Sequence, residues 1–279
     1  MSVRAAAEAR DALDGARTAI AAGGSPSARL DAELLLADAL GVERERLILE
    51  PSLPVTGPAV RRFQSHVRRR AIDREPLAYI LGRRDFRRLS LLVDRRVLVP
   101  RPESELLVEV GLELAAGARV LDCCTGSGAV ALALKDERGD LRISGSDLSE
   151  DALAVARLNG RRLGLDVQWL AADLLADLGT GWDAVLANPP YVRSAEIGSL
   201  EPEIARHEPR LALDGGVDGL DLIRRLLSQA AQTRASLLAL EIGAGQAQEV
   251  AGLLAAAGFG TIERRRDLAG VERVLVARR

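Results

Sequence analysis

The sequence predicts an α/β protein in which a mostly parallel sheet, covered by helices on both faces, follows a small helical domain. From Arg119 onward, short apolar runs alternate with helical segments, whereas the chain up to about residue 80 has a helical pattern rich in Ala, Leu and Arg. Between these parts, alternating apolar residues flank polar ones around Asp94-Arg95, which predicts a hairpin. We therefore expect a helical domain at 1–80, a β-hairpin linker at 81–102 and an α/β domain at 103–279.

Local signals predict where the elements begin and end. In the helical domain, Ser25-Pro26 predicts the start of a helix that Gly41 ends, and a second helix runs from Arg61 to Ile72. Apolar runs predict the strands of the α/β domain, the last two of which form a hairpin. These strands are Arg119–Cys123, Arg142–Ser146, Val167–Leu170, Trp182–Ala187, Ser236–Ile242, Thr261–Arg265 and Glu272–Ala277.

The composition is typical of a globular protein and excludes several classes. Of 279 residues, 48% are hydrophobic and 28% charged, and the net charge of −2 creates no global attraction to nucleic acid or membrane. The two cysteines, Cys123 and Cys124, are adjacent and have no Cys/His cluster around them, so we expect no metal site. Apolar runs are too short for a membrane span, and charges interrupt the N-terminus before a secretory segment can form. We expect a cytoplasmic protein.

The first motif is a glycine-containing turn between a strand and a helix. Gly126 and Gly128 allow the backbone to approach a ligand closely, and the following helix points its N–H groups at the same place. Asp147 ends the next strand, where an acidic residue can accept hydrogen bonds from ribose hydroxyls. A tight turn with Asp147 as a helix cap is the structural alternative. Gly126, Gly128 and Ala131 also fit a dinucleotide fingerprint, so a nicotinamide enzyme is a rival interpretation.

The third motif is Asp173-Leu174, which follows the strand Val167–Leu170. There the carboxylate can accept a hydrogen bond from an adenine amino group while Leu174 packs against the ring. A simple helix cap is an equally good interpretation of Asp173.

The most specific motif is Asn188-Pro189-Pro190-Tyr191, directly after the strand Trp182–Ala187. Each proline keeps the residue before it out of the helical region, and neither proline has an N–H with which the loop could close on itself. The side-chain oxygen of Asn188 and the carbonyl of Pro189 can therefore converge beside an aromatic ring. Two acceptors in that arrangement fit a planar NH₂ group. A rigid loop at the sheet edge, without a catalytic role, is the alternative.

Together these motifs resemble the S-adenosylmethionine-dependent methyltransferases that modify planar NH₂ groups. More specifically, the chain resembles the HemK/PrmC-type protein-(glutamine-N5) methyltransferases, which act on peptide chain release factors, from about residue 25 to the C-terminus. Asn188–Tyr191 is shared with DNA and rRNA amino-methyltransferases, whereas the flanking stretches are specific to this family. Those stretches are Asp31–Leu36, Glu75–Gly82, Val99–Glu103, Glu208–Leu213, Asp218–Asp221 and Asp267–Gly270.

The resemblance implies a Rossmann-like methyltransferase sheet and a set of residues that contact S-adenosylmethionine. The catalytic residues it implies are Asn188, Pro189, Pro190 and Tyr191. Cofactor contacts are implied for the backbone of Cys124, Thr125, Gly126, Ser127 and Gly128, for Asp147 on the ribose, for Asp173 and Leu174 on the adenine, and for Asn188 near the methyl group. Asp122 is expected to hold the turn by accepting backbone N–H bonds. Cys124 stands where many members have glycine, so we expect a negative φ there.

The implied reaction is methylation of the glutamine in the Gly-Gly-Gln motif of a release factor, with the helical domain docking this protein substrate and no nucleic acid or membrane involved. An arginine run, Arg61, Arg62, Arg68, Arg69 and Arg70, lies on one predicted helix and forms either that docking face or a solvated surface.

Several alternatives remain open at this point. They are a glutamine of a ribosomal protein as substrate, amino-methylation of a nucleic-acid base, a nicotinamide-dependent oxidoreductase and a binding module without activity. We expect His66 and His207 to be surface residues without a catalytic role, and Glu241 to lie on the rim. Arg101 and Glu103 either line the substrate entrance or form a salt bridge in the hairpin.

Overall fold

The computed structural model describes residues 7–233 and 235–279. By its internal contacts the chain forms two compact units. The smaller unit contains the described residues up to Gly82 together with Glu201–His207, and the larger unit contains Arg83–Leu200 and Glu208–Arg279. The three-part division of the sequence at residues 80 and 102 remains a prediction.

The smaller unit is mainly helical, as its composition predicts. Its core contains the buried side chains of Ile20, Leu35, Leu36, Phe63 and Ile80. Its two short strands, Ala7–Glu8 and Pro54–Val55, pair antiparallel. The elements of this unit are β1 (Ala7–Glu8), α1 (Ala9–Ala22), α2 (Ala28–Leu40), α3 (Arg44–Leu49), β2 (Pro54–Val55), α4 (Gly57–Ala71), α5 (Leu77–Leu81) and α9 (Pro202–His207).

Helix α2 begins later than the sequence predicts, with Ser27 rather than Ser25 at its N-cap position. The hydroxyl groups of Ser25 and Ser27 each donate to the Asp31 carboxylate at 2.8 Å, so Ser25 is held by this side chain and does not cap the helix. The predicted end is confirmed: Gly41 has a left-handed φ of 66° at the C-cap.

Two predictions about polar residues of this unit are wrong. His66 is buried, with its Nδ1 3.8 Å from the Asp38 carboxylate, and burial lowers its pKa. Arg70 is also buried, so α4 is not a uniformly solvated arginine face. The reason is that this amphipathic helix turns Phe63, His66 and Arg70 inward.

The larger unit contains the sheet and the remaining helices. Its elements are β3 (Arg83–Phe86), β4 (Leu89–Leu92), α6 (Glu105–Leu112), β5 (Arg119–Cys123), α7 (Ala129–Glu137), β6 (Arg142–Asp147), α8 (Glu150–Leu163), β7 (Gln168–Ala171), β8 (Ala184–Ala187), α10 (Asp221–Thr233), β9 (Leu237–Glu241), α11 (Ala247–Ala256), β10 (Thr261–Arg266) and β11 (Glu272–Arg278).

The predicted hairpin exists, but its turn lies elsewhere. Strands β3 and β4 pair around Arg87 and Arg88, not around Asp94-Arg95. Arg87 adopts a positive φ of 49° and its guanidinium binds Glu137, which holds the tight turn there. Asp94 instead accepts hydrogen bonds from the backbone and side chain of Arg96 in a local loop.

The seven-stranded sheet has the order β10-β11-β9-β8-β5-β6-β7. Five strands, β9 to β7, are parallel, and β11 and β10 extend the sheet antiparallel as the predicted hairpin. The predicted strands are confirmed with small shifts at their ends. The largest is in β8, which begins at Ala184 rather than Trp182.

Apolar side chains alternate between the two faces of the central strands. In β8, Ala184 and Leu186 pack in a cluster with α6 and α7, whereas Val185 and Ala187 pack in a cluster with α10 and α11. Strand β5 has β6 and β7 on one side in the sheet and β8 and β9 on the other, so the chain order reverses direction at β5. This reversal of strand order opens a crevice at the carboxyl ends of the strands, where ligands bind in such sheets. Within the described residues, no helix has the length and apolar character that a membrane crossing requires.

Candidate active site

The glycine turn after β5 runs from Cys124 to Gly128 and leads into α7. Three of its residues have left-handed backbone, with φ of 60° at Cys124, 56° at Gly126 and 83° at Gly128. At Gly128 a Cβ atom would lie 2.8 Å from the Trp169 ring, so only glycine fits without a shift. The negative φ expected at Cys124 is wrong. A non-glycine residue in this region costs about 1–2 kcal/mol, which the surrounding turn must offset.

Asp122 stabilises this turn through hydrogen bonds. Its Oδ2 accepts a hydrogen bond from the Thr125 hydroxyl at 2.5 Å and from the backbone N–H of Ala131 at 3.1 Å, as expected from the sequence. Burial raises the pKa of Asp122 to about 7, although both hydrogen bonds act in the opposite direction. The carboxyl group therefore links the turn to the first turn of α7 and holds a proton at far higher pH than an ordinary aspartate.

Asp147 lies at the end of β6 and faces the same turn. Its two oxygens accept from the backbone N–H groups of Gly126 and Ser149, each at 2.9 Å. Burial raises its pKa, and the same hydrogen bonds partly oppose that change. Each carboxylate oxygen has two lone pairs, so Asp147 can hold the turn and still accept from a ligand hydroxyl.

Asp173 and Leu174 follow β7. Residues 172–183, all of them described, form turns and no helix, so the interpretation of Asp173 as a helix cap is wrong. Instead the Asp173 carboxylate accepts from the guanidinium of Arg225 at 2.5 Å. Leu174 is buried and has a left-handed φ of 58°. This conformation leaves the carboxylate and the apolar side chain at the edge of the same cavity.

The Asn188–Tyr191 loop begins where β8 ends. The Nδ2 of Asn188 donates to the Ser104 hydroxyl at 3.2 Å, and that hydroxyl donates to Glu241 Oε2 at 2.6 Å. The carbonyl of Tyr191 accepts from the side chain of Gln246 at 3.1 Å. Burial raises the pKa of Tyr191 to about 12, so its phenol stays neutral at physiological pH. The loop is thus held at both ends by side chains from other elements.

One cavity of the larger unit collects most of the predicted site residues. Gly128, Pro189 and Tyr191 are not among the residues that line it, and Pro189 is buried. The predicted residues that do line it are Cys124, Thr125, Gly126, Ser127, Asp147, Asp173, Leu174, Asn188 and Pro190.

The cavity wall also contains residues that the sequence did not single out. Ser104, Leu148, Leu211 and Leu222 line it. The only signal for any of them was the stretch Glu208–Leu213, which contains Leu211. Glu241 was expected on the rim, but it is 1% exposed, so that prediction is wrong.

Arg101 lines the cavity too, and its guanidinium binds Glu208 Oε1 at 2.7 Å. Glu208 is buried, and burial raises its pKa. The pair therefore connects the segment before α6 with the segment that follows α9 in sequence, and it is not a salt bridge within the hairpin.

Over residues 7–233 and 235–279, no group of three or more His, Cys, Asp or Glu side chains could hold a metal ion. Both histidines of the sequence, His66 and His207, belong to the smaller unit.

Comparison with known proteins bears directly on this site. Residues 11–82 match the family model described as PrmC N-terminal domain, and residues 102–216 match that of the methyltransferase small domain. A release factor glutamine methyltransferase of Rhodospirillum rubrum is 43% identical over 257 residues, which cover 90% of this chain and 79% of that protein. Another, of Moorella thermoacetica, is 42% identical over 97% of this chain and 98% of its own.

The chain belongs to the release factor glutamine methyltransferase family. It is an S-adenosylmethionine-dependent methyltransferase, so the nicotinamide enzyme and the binding module are set aside. A methyltransferase of Pyrococcus furiosus has a similar structure, with a TM-score of 0.51 and 16% identity over 67% of this chain and 87% of that one. This likeness concerns the fold alone and agrees with the α/β methyltransferase sheet predicted from the sequence.

Proposed function

We propose that this protein transfers the methyl group of S-adenosylmethionine to the side-chain nitrogen N5 of the glutamine in the Gly-Gly-Gln motif of peptide chain release factors, and so modulates translation termination. The observation that carries the proposal is that Asn188 and Pro190 lie on the same cavity wall as the Cys124–Ser127 turn and Asp147, in a chain of this family. Release factors act in the cytoplasm, which is where we place the protein.

The residues that line the cavity fit the methyl donor. Backbone N–H groups of the glycine turn, the Asp147 carboxylate and the Asp173 carboxylate surround a partly apolar space that includes Leu148 and Leu174. An adenosine with a charged side arm needs this combination: acceptors for ribose hydroxyls and an amino group, and apolar contact for the ring. We assign Asp147 to the ribose and Asp173 with Leu174 to the adenine. When bound, S-adenosylmethionine supplies an electrophilic methyl group on a positively charged sulfur.

Asn188 and Pro189 are assigned to the acceptor amide. An amide nitrogen is a poor nucleophile because its lone pair is delocalised into the carbonyl. The Asn188 Oδ1 and the Pro189 carbonyl would each accept a hydrogen bond from one N–H of the substrate amide. These two hydrogen bonds would localise the lone pair and aim it at the methyl carbon. Tyr191 would pack on the amide plane. Holding the reacting atoms about 3–3.5 Å apart supplies much of the rate acceleration.

The proton that leaves the nitrogen needs no dedicated base. The nitrogen becomes strongly acidic once it carries the methyl group, so its proton can depart to Asn188, Pro189 or water. Tyr191, whose pKa burial raises to about 12, remains a neutral phenol throughout. The chemistry therefore depends on positioning rather than on a titrating catalyst.

The helical unit is proposed to dock the release factor. Two other substrates would share the same loop: a ribosomal-protein glutamine and the amino group of a nucleic-acid base. Enzymes that act on bases use positive grooves and aromatic stacking residues, whereas this chain has a net charge of −2 and 3% aromatic residues. We therefore favour a protein substrate without direct nucleic-acid contact.

The test is incubation of the purified protein with methyl-labelled S-adenosylmethionine and one substrate at a time. The substrates are an intact bacterial release factor, the same factor with Gly-Gly-Ala in place of Gly-Gly-Gln, ribosomal protein, and DNA or rRNA. We expect label on the intact factor alone. Label on ribosomal protein or nucleic acid instead would replace the proposed substrate, and equal label on both forms of the factor would reject the glutamine as the site.

A further inference from the structure

We propose that Ser104 and Glu241 are positioning residues that fix the orientation of the Asn188 amide, so that its oxygen rather than its nitrogen faces the cavity. The three side chains come from distant parts of the sequence: the turn before α6, the loop after β8 and the end of β9. They form one chain of hydrogen bonds, from Asn188 Nδ2 to Ser104 Oγ at 3.2 Å and from Ser104 Oγ to Glu241 Oε2 at 2.6 Å. This inference rests on the proposed function, because that function needs an acceptor at Asn188.

An asparagine needs such a device because its two ends have nearly the same shape. The amide oxygen accepts hydrogen bonds and the amide nitrogen donates them, yet packing alone hardly distinguishes them. With the nitrogen toward the cavity, Asn188 would present donors to the N–H groups of a substrate amide and would repel them. The reaction therefore requires the correct orientation of the Asn188 side-chain amide.

The direction of the hydrogen bonds fixes that orientation. An ionised carboxylate only accepts, so the single hydrogen of the Ser104 hydroxyl must go to Glu241. The hydroxyl oxygen then has only lone pairs to offer, and only the Nδ2 end of Asn188 can satisfy them. If the amide were flipped, its oxygen would face the lone pairs of Ser104. Glu241, as an acceptor, thus acts on the Asn188 amide through the Ser104 hydroxyl and also directly.

Burial limits the access of water to the inner members of this relay. Glu241 is 1% exposed and Ser104 is 6% exposed, so the hydrogen bonds of Glu241 in particular are shielded from water. The charged and titratable groups around Glu241 are Glu103, Arg273 and Tyr191. Burial and the charge of Glu103 raise the pKa of Glu241 to about 7, whereas Ser104, Arg273 and Asn188 act in the opposite direction. Protonation adds a donor at Glu241 and releases the Ser104 hydrogen, so the relay loses its direction on the acid side.

The decisive variant is Glu241→Gln, which keeps the shape but replaces the acceptor with a group that also donates. We expect kcat to fall about a hundredfold, as for other losses of alignment, while the KM for release factor and the calorimetric Kd for S-adenosylmethionine stay within about threefold. In the wild type, kcat should rise with pH through about 7, following Glu241. In Glu241→Gln this acid limb should disappear. An acid limb that persists would belong to another group with a raised pKa, such as Asp122, and would overturn the assignment.

Serine variants separate positioning from simple packing. Ser104→Ala should lose kcat as Glu241→Gln does, and Ser104→Thr, which keeps the hydroxyl, should recover most of it. Ser144→Ala is the matched control, because Ser144 is another buried serine with a side-chain hydrogen bond, in strand β6. Equal kcat in Ser104→Ala and Ser144→Ala, with both proteins folded, would reject the relay.

A measurement on the free protein keeps the two proposals distinguishable. The side-chain NH₂ resonance of Asn188, assigned by its absence in Asn188→Ala, should shift with pH through about 7 in the wild type and not in Glu241→Gln. If that titration is seen but no release factor is methylated, the relay stands and the proposed function fails. If the factor is methylated but the resonance does not titrate and Glu241→Gln has full kcat, the relay fails alone.

Discussion

In the smaller unit the buried carboxylates face guanidinium groups, whereas in the larger unit Asp122 and Glu241 face hydroxyl and amide groups and Glu208 faces the guanidinium of Arg101. Glu203, which enters the smaller unit from the segment after the Asn188–Tyr191 loop, accepts from Arg70 at 2.6 Å and from Arg74 at 2.7 Å. Arg70 also binds Asp31 at 2.6 Å. In the larger unit, Asp122 accepts from Thr125 and Ala131, and Glu241 accepts from Ser104.

The pKa values of Glu203, Asp122 and Glu241 follow this difference, whereas burial raises the pKa of Glu208 although Arg101 binds it. Burial alone would raise the pKa of Glu203. Hydrogen bonds from Arg70 and Arg74, together with the charge of Arg70, instead hold it below its usual range. Burial raises the pKa values of Asp122 and Glu241 to about 7. A paired carboxylate serves structure, whereas a carboxylate that is buried without a cation costs stability and is typical of a functional site. The contrast teaches which buried charges of this chain act in folding and which act in the cavity.

The largest expected effect comes from removing the charge of Arg70, which is buried in the smaller unit. Arg70→Met leaves Asp31 and Glu203 buried without their shared partner, which should lower the free energy of unfolding by about 3–5 kcal/mol. Arg68→Met, on the exposed side of α4, is the control and should change it by less than about 0.5 kcal/mol. Denaturant unfolding measures both. Equal effects of the two variants would mean that the buried cluster contributes no more than the arginine surface.

In the larger unit, loss of a polar group should reduce activity rather than stability. Asn188→Ala removes the acceptor for the substrate amide and should lower kcat by about 10²–10³-fold, similar to the loss of one preorganised hydrogen-bonding group. Steady-state kinetics and calorimetry together test this, because the Kd for S-adenosylmethionine should remain nearly unchanged. A parallel loss of affinity and kcat would assign Asn188 to cofactor binding.

A smaller effect is expected at the carboxylate that faces the glycine turn. Asp147→Ala removes a charge-assisted hydrogen bond to the ribose and should weaken S-adenosylmethionine binding by about 1.5–3 kcal/mol. The Kd of Asp173→Ala for S-adenosylmethionine provides the comparison, since the Asp173 carboxylate already binds Arg225. Titration calorimetry gives both constants. An unchanged Kd in Asp147→Ala would leave this carboxylate only its role in holding Gly126 and Ser149.

A further effect concerns how the stability changes with pH. The pKa values of Asp122 and Glu241 are raised to about 7 in the folded chain, so the folded state binds their protons more tightly than the unfolded state. Their contribution is fully present below the ordinary carboxyl pKa and is lost as pH rises through about 7, by at most about 1.4 kcal/mol per group and pH unit. Asp122→Asn should flatten this decline between about pH 4 and pH 7, the range between the ordinary aspartate pKa of 3.8 and the raised pKa of about 7. An unaltered decline in unfolding experiments would show that Asp122 titrates normally.

Much of the fold followed from local patterns in the sequence. The apolar runs around Val120 and Val185 predicted buried parallel strands, and Gly126 and Gly128 predicted the turn at their carboxyl ends, because periodicity and glycine conformation are local properties. The Asn188–Tyr191 motif predicted the chemistry, and the flanking stretches predicted the family. The hairpin turn at Arg87 was missed, because arginine is not a typical turn residue and its ion-pair partner Glu137 lies fifty residues away.

The supporting contacts of the site could not be predicted in the same way. Ser104 and Glu241 are separated by 137 positions, and neither has a local signal that relates it to Asn188. The burial of Arg70 and His66 also depended on tertiary contacts that an arginine-rich helix does not reveal. The positive φ of Cys124 contradicts the local preference of cysteine and is imposed by the turn that surrounds it.

The most direct test of the account is to locate the methyl group on the product. A release factor incubated with the wild-type protein and S-adenosylmethionine is digested, and fragment-ion mass spectrometry assigns the modified residue and its atom. We predict one added methyl group, on the side-chain nitrogen of the Gly-Gly-Gln glutamine, that is absent when Asn188→Ala replaces the wild type. A methyl group on any other residue, or one that Asn188→Ala still adds at the wild-type rate, would contradict the account.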